Sequence, residues 1–226
     1  MDIKGILARC DHTLLAPTAT WEEIQTVCDE GIRYGTETVC IPPVYVAKAV
    51  EYIKKQGSKL GVCTVVGFPN GYNSTKVKVY ETEQAILDGA REIDMVINLG
   101  WLKAGQYDDI LAEIKAIKAA CHGRVLKVII ETSELTQDEK VKMCKLITEA
   151  KADYVKTSTG FSKCGATPAD IAVLKGAVGK GVKIKASGGI SSLDDADLFI
   201  MLGADRLGTS KVVKLFMELQ KKDGHK

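Results

Sequence analysis

Short β-branched runs alternate with longer amphipathic stretches eight times along this chain, and no feature constrains its fold more. The expected strands cover residues 8–13, Thr38–Ile41, 61–67, 93–98, 125–131, 154–157, 182–186 and 206–208. Helical patterns lie between them over Trp21–Tyr34, 44–56, 74–88, Tyr107–Ala120, 136–149, 168–178 and 193–202. Thr20, Thr136 and Thr167 stand where helix caps belong, and Gly57, Gly89 and Gly203 where helices close. Strands that alternate with helices specify a parallel sheet covered on its faces. An open doubly wound sheet and a closed barrel both satisfy that rule. The count of eight, and the lack of a glycine-rich loop after the first strand, favour the barrel. Polar residues also gather at strand ends: Asp11-His12, Asn98, Glu131-Thr132, Thr157 to Thr159 and Ser187. In a barrel those ends meet on one face. The expected fold is α/β, a single (β/α)8 TIM barrel spanning residues 1–226.

Composition leaves room for such a core and removes other classes of function. Of the 226 residues 46% are hydrophobic, ordinary for a globular protein. A net charge of +2, from 31 basic and 29 acidic residues, offers no field for nucleic acid or a membrane surface. The apolar runs are strand-sized, far short of the roughly 20 residues of a membrane helix. Seven cysteines (Cys10, Cys28, Cys40, Cys63, Cys121, Cys144 and Cys164) form no CxxC pair, and no His/Cys/Asp grouping has zinc spacing. No metal or cofactor is expected. The opening Met1-Asp2-Ile3-Lys4 does not read as a signal peptide, so reduced thiols and a cytoplasmic location are expected.

Two lysines stand inside strands that read as fully buried: Lys156 in Tyr154-Val155-Lys156-Thr157 and Lys185 in Lys183-Ile184-Lys185-Ala186. An ammonium stripped of water is costly, so buried lysines tend toward the neutral, nucleophilic amine. Strand alternation turns Val155 outward and Lys156 into the barrel. A structural lysine paired with a carboxylate would satisfy the same pattern. Lys185, near the end of the next strand, shifts the balance, since two neighbouring amines disfavour each other's charge. Lys183 shares its parity one layer lower and competes for the same assignment. Asp94, an acid in the apolar run Ile93-Asp94-Met95-Val96, suits either a salt bridge to an interior lysine or proton transfer. Glycine turns after the last two expected strands, Ser187-Gly188-Gly189-Ile190-Ser191 and Leu207-Gly208-Thr209-Ser210, stand where barrels often bind phosphate.

These blocks occur in order along nearly the whole chain, together with Asp11-His12-Thr13-Leu14-Leu15, Val39-Cys40-Ile41-Pro42-Pro43, Val66-Gly67-Phe68-Pro69-Asn70-Gly71, residues 126–132 and Lys156-Thr157-Ser158-Thr159-Gly160. Taken together they resemble the deoxyribose-phosphate aldolases, class I aldolases of the (β/α)8 type. The resemblance implies reversible, metal-free cleavage of 2-deoxyribose 5-phosphate to glyceraldehyde 3-phosphate and acetaldehyde. It assigns Lys156 as the Schiff-base lysine and Lys185, not Lys183, as its partner, with Asp94 in proton transfer. Gly160, Gly188, Gly189, Gly208 and Ser210 fall where the family holds the phosphate, and Asp11 and Thr13 in a block lining the same mouth. Barrels of this kind are often dimers, so a homodimer acting on small phosphorylated sugars and aldehydes is expected.

The chain departs from the family at the phosphate end: Ser191 replaces a common Arg, Lys211 follows Ser210, and the 162–165 loop is less glycine-rich than usual. Lys163 or Lys211 would supply the lost charge. His12 reads as a hydrogen-bonded support; His122 and His225 have no case. Cys40 reads as a packed thiol, open to alkylation by aldehydes only if exposed. The competing functions are a phosphate-binding barrel isomerase or synthase without a covalent intermediate, and a barrel that has lost catalysis.

Overall fold

The computed structural model describes residues 2–223, with the side chains of Lys222 and Asp223 outside the description. His225 lies outside the described residues. Eight strands close into a parallel barrel in strict chain order: β1 (Cys10–Thr13), β2 (Thr38–Ile41), β3 (Gly61–Val66), β4 (Glu92–Val96), β5 (Val125–Ile129), β6 (Tyr154–Lys156), β7 (Lys183–Ser187) and β8 (Arg206–Thr209). β8 returns to pair with β1 through Asp11 and Gly208. Closure leaves no exposed sheet edge.

The helices are α1 (Ile3–Leu7), α2 (Trp21–Tyr34), α3 (Val46–Lys55), α4 (Thr75–Leu87), α5 (Leu99–Lys103), α6 (Tyr107–Ala120), α7 (Gln137–Glu149), α8 (Pro168–Ala177), α9 (Leu193–Met201) and α10 (Val212–Asp223). Thr20, Thr136 and Thr167 each accept the N–H three residues on, and the acid there bonds back, so each forms a capping box. Gly57, Gly89 and Gly203 take φ of +67°, +100° and +111° at helix ends, as expected.

Several boundaries moved for local reasons. β1 starts at Cys10 because Ala8 and Arg9 turn out of α1, their N–H groups bonded to the carbonyls of Lys4 and Ile6. β4 ends at Val96, since Asn98 instead caps α5, accepting the Trp101 N–H at 3.2 Å. The five-residue α1 and α5 are too short to show a 3.6-residue period, so sequence reading missed them. It also omitted the amphipathic α10.

Outward strand residues such as Val39, Ile41, Ile93, Met95, Leu126, Val128, Val155 and Ile184 pack beneath the helices in one apolar cluster. One ion pair is buried in that layer: Lys78 donates to Glu113 at 2.9 Å and to the Val96 carbonyl at 2.8 Å. Burial pushes the Lys78 pKa down and that of Glu113 up, each opposed by the other's charge. His12 also faces this layer, its Nε2 2.6 Å from Glu30 of α2. That geometry is support, and burial lowers the His12 pKa.

The barrel interior behaves differently. Its side chains carry charge, and the site is built there. Above it, the loop after β3 closes against β4: Gly71 has φ +74°, and a Cβ there would sit 1.9 Å from the Ile97 carbonyl oxygen. Gly71→Ala therefore meets both a left-handed backbone and a backbone collision. The expected result is a loss of at least about 2 kcal/mol in chemical denaturation, whereas Gly57→Ala, with nothing within 4 Å, should cost less than that.

Candidate active site

Alternation along each strand sends one set of side chains into the barrel. Asp11 (β1), Glu92 and Asp94 (β4), Lys127 (β5), Lys156 (β6), Lys185 (β7) and Arg206 (β8) all point inward, and each is at least 93% buried. The register sets them side by side: Asp94 beside Lys127, Lys156 beside Lys185, and Lys185 beside Arg206.

Asp94 is the hub. Its Oδ2 accepts from Lys156 at 2.7 Å and from Lys185 at 2.8 Å, while Oδ1 accepts from Lys127 at 2.9 Å and from the Cys63 thiol at 3.2 Å. Lys185 donates further to Asp11 Oδ2. Asp11 Oδ1 accepts from Arg206 at 2.6 Å and from Thr38 at 2.8 Å. Lys127 also meets Glu92 at 2.5 Å, and Arg206 meets Glu92 at 3.1 Å.

Burial alone would raise the pKa of both aspartates. For Asp94 the charges of Lys127, Lys156 and Lys185 outweigh it and hold the carboxyl well below the usual range. Lys127, Lys185 and Arg206 do the same for Asp11. Burial would likewise strip Lys185 of its proton, but Asp11 and Asp94 overcome it and push its pKa up. Lys185 is therefore a held cation.

Lys156 alone of the three interior lysines lines the open cavity. That cavity, about 450 Å³, sits at the C-terminal mouth of the barrel with the Lys156 amine on its floor. Its walls include Thr13, Gly160, Gly188, Gly189, Gly208 and Ser210. Gly160, Gly188 and Gly189 have φ of +87°, +70° and +71°, so their backbones turn where side-chain-bearing residues would be strained. The β6 and β7 loops touch through bare backbone: a Cβ on Gly165 would lie 2.2 Å from the carbonyl carbon of Gly188. The expected substrate residues thus gather at one mouth, with one exception. Asp11, expected to line it, is absent from the cavity wall and fully buried below, held there by Lys185 and Arg206.

Lys183 shares the parity of Lys185 but is exposed at the opposite end of β7, its ammonium 5.7 Å from the centre of the Tyr154 ring. Lys127, Arg206, Glu92 and Cys63 were not anticipated. Lys127 carried the same signal as Lys156, a lone charge in an apolar run, but no motif drew attention to it. Cys40 is fully buried beside Cys63. Its thiol pKa is lowered, chiefly by its contact with the Cys63 side chain. The donor atoms of Cys40, Cys63 and Asp94 lie within 4.8 Å of one another, as do those of Asp11, Cys63 and Glu92. Lysine and arginine donors already occupy those carboxylates, so the protein's own cations stand where a metal would.

Residues 6–204 match the DeoC/LacD family aldolases. The chain belongs to this family. It is 56% identical to the deoxyribose-phosphate aldolase of Streptococcus pyogenes serotype M4 over 95% of each chain. It is 54% identical to that of Streptococcus agalactiae serotype Ia over 99% of each. Among solved structures, the tetrameric deoxyribose phosphate aldolase of Aeropyrum pernix superposes with a TM-score of 0.88 at 33% identity, covering 96% of this chain and 92% of that one.

Asp94→Asn leaves buried ammonium groups without their shared anion. The expected cost is about 3–5 kcal/mol of stability, read by denaturant titration at neutral pH. Because the folded-state pKa of Asp94 is depressed, its contribution is complete above the unfolded value near 4 and is lost as pH falls through the folded one. The gap between wild type and Asp94→Asn should therefore stay constant from about pH 5 upward and narrow below about pH 4.

Proposed function

We propose that this DeoC/LacD aldolase reversibly cleaves 2-deoxy-D-ribose 5-phosphate to D-glyceraldehyde 3-phosphate and acetaldehyde through a Schiff base on Lys156. One observation carries the reading: Lys156 is the interior lysine that opens on the mouth cavity, and its Nζ lies 2.7 Å from Asp94. The interior holds three carboxylates (Asp11, Glu92 and Asp94) against four basic groups (Lys127, Lys156, Lys185 and Arg206).

In this mechanism Lys156 attacks the aldehyde carbon of the open-chain sugar. Asp94 and Lys185 move the protons that convert the carbinolamine to an iminium and release water. The iminium accepts the electrons of the C2–C3 bond as the C3 hydroxyl is deprotonated, freeing glyceraldehyde 3-phosphate. Protonation of the remaining enamine and hydrolysis of its iminium release acetaldehyde and restore Lys156. Lys185, held cationic, stabilises the hydroxyl-bearing intermediates without competing as a nucleophile.

The phosphate reading rests on the mouth. Gly160, Gly188, Gly189, Gly208 and Ser210 present backbone close to the cavity, and Thr13 joins them. Phosphate anchoring turns binding energy into alignment of the reacting bond over Lys156. The charge lost with Ser191 has one candidate replacement here. Lys211 lines the cavity, whereas Lys163 points to Glu134 at 3.1 Å.

Residues 1–226 are read as one catalytic unit, working as a cytoplasmic homodimer on small phosphorylated sugars and aldehydes, without nucleic acid or membrane. Six free cysteines are buried and only Cys164 is exposed, which suits a reducing compartment. Exposed Val77, Tyr80 and Leu87 on α4 supply apolar surface for a partner copy. Among the described residues no helix is long and apolar enough to cross a membrane.

Borohydride reduction in the presence of acetaldehyde, followed by peptide mapping, should place a stable adduct on Lys156 and none on Lys185 or Lys127. Turnover without any adduct would favour a non-covalent barrel enzyme. Separately, Lys211→Ala should raise KM for the phosphorylated sugar about three-fold, and Lys163→Ala should leave it unchanged.

A further inference from the structure

Among the described residues, three besides glycine hold a positive φ: His122 at +45°, Glu131 at +54° and Lys151 at +57°. His122 and Lys151 are exposed residues in turns. Glu131 is 3% exposed and lies just past the end of β5. A buried residue persists in a strained conformation only where its surroundings over-determine it, and such residues cluster at functional sites.

Thr159 is what holds Glu131. The Thr159 N–H donates to both carboxylate oxygens, at 3.3 and 3.2 Å, and the Thr159 hydroxyl donates to Oε2 at 2.5 Å. That hydroxyl oxygen in turn accepts the Phe161 N–H at 3.0 Å. Thr159, Gly160 and Phe161 line the mouth cavity. Thr159 and Phe161 also line a second cavity, of about 390 Å³, whose wall includes Glu131. The segment is thus a partition between two cavities. Gly160 within it has φ +87°, and a Cβ there would find nothing within 4 Å, so local packing does little to fix its orientation.

We infer that Glu131 is a positioning residue that sets the grip on the substrate's phosphate by holding Thr159 and Gly160 from behind. The inference rests on the reading of the glycine-lined mouth as the phosphate site. Glu131 is absent from the wall of the mouth cavity itself. Its influence therefore passes through Thr159 and should fall on binding of the phosphorylated end, with the chemistry at Lys156 spared.

The test uses the full chain with Glu131→Gln, Thr159→Val and the double substitution, each assayed on 2-deoxyribose 5-phosphate and on unphosphorylated 2-deoxyribose. Glu131→Gln keeps the side chain's shape but turns one acceptor oxygen into a donor facing Thr159. Hydrogen bonds to a charged group are worth enough for KM of the phosphorylated sugar to rise about ten-fold. kcat/KM for the unphosphorylated sugar should stay within about two-fold. The double variant should be no worse than the poorer single one, because both remove the same contact. Thr159→Ser should restore the wild-type ratio. If Glu131→Gln fails to fold, Thr159→Val removes the hydroxyl link with Glu131 in place and decides alone. Equal losses on both sugars would mean a general structural role and overturn the inference. So would a wild-type preference for the phosphorylated sugar that survives in the variants. A wild type with no such preference would sink the phosphate reading, and this inference with it.

Discussion

The structure turns on one buried carboxylate. Asp94 is fully buried yet meets three lysine ammonium groups and a thiol, each from a different strand. Taking a carboxylate and several ammonium groups out of water costs several kcal/mol per ion, and only close, complete pairing offsets it. That demand fixes register. A slip of one residue in β4 would turn Asp94 into the helix layer and leave the ammonium groups of β5, β6 and β7 facing one another. Packing of the outer apolar layer and pairing of the inner charges thus require the same strand alignment.

The network also divides the labour among chemically identical side chains. Lys127 sits between Asp94, Glu92 and Asp11, away from the cavity, and burial fails to discharge it because those acids raise its pKa. Lys185 is held by Asp11 and Asp94 in the same way. Lys156 has one carboxylate partner, Asp94, which it shares, and it alone reaches the mouth. In the proposed reaction, placement rather than residue type separates nucleophile from charge reservoir. Arg206 completes the arrangement, since a guanidinium stays charged and can tie Asp11 to Glu92 without entering the chemistry.

The barrel, seven of its helices and three of the four capping boxes were legible because period, count and cap chemistry are local properties. So were Lys156, Lys185 and Asp94, each a charge set in an apolar strand. Lys127 bore the same mark, but its meaning depends on partners 33 residues away at Asp94 and 64 away at Cys63, and no local rule supplies those. Asp11 was misplaced for a related reason. Its position near a strand end suggested the mouth, but its depth is set by β8 and β7, which present Arg206 and Lys185 to it. The left-handed backbone at Glu131 left no trace in sequence, since glutamate has no preference for that region.

The site joins two kinds of construction. Its floor stands on strands, where register and paired charge hold Lys156 and Asp94 rigidly. Its rim stands on loops, where glycines bring backbone to the cavity. A loop gains precision only by being tied to something firm. The β6 loop is tied to its neighbour: Gly165 packs bare against Gly188 and Gly189, and the Thr157 hydroxyl donates to the Ser187 carbonyl at 3.2 Å. The Ser187 hydroxyl returns a bond to the Ser158 carbonyl at 2.5 Å, so β6 and β7 are laced together just where Lys156 ends its strand. A change of rim residue can therefore alter the cavity wall without loosening Lys156. Ser191 and Lys211 line that rim, apart from the residues that pair the interior charges.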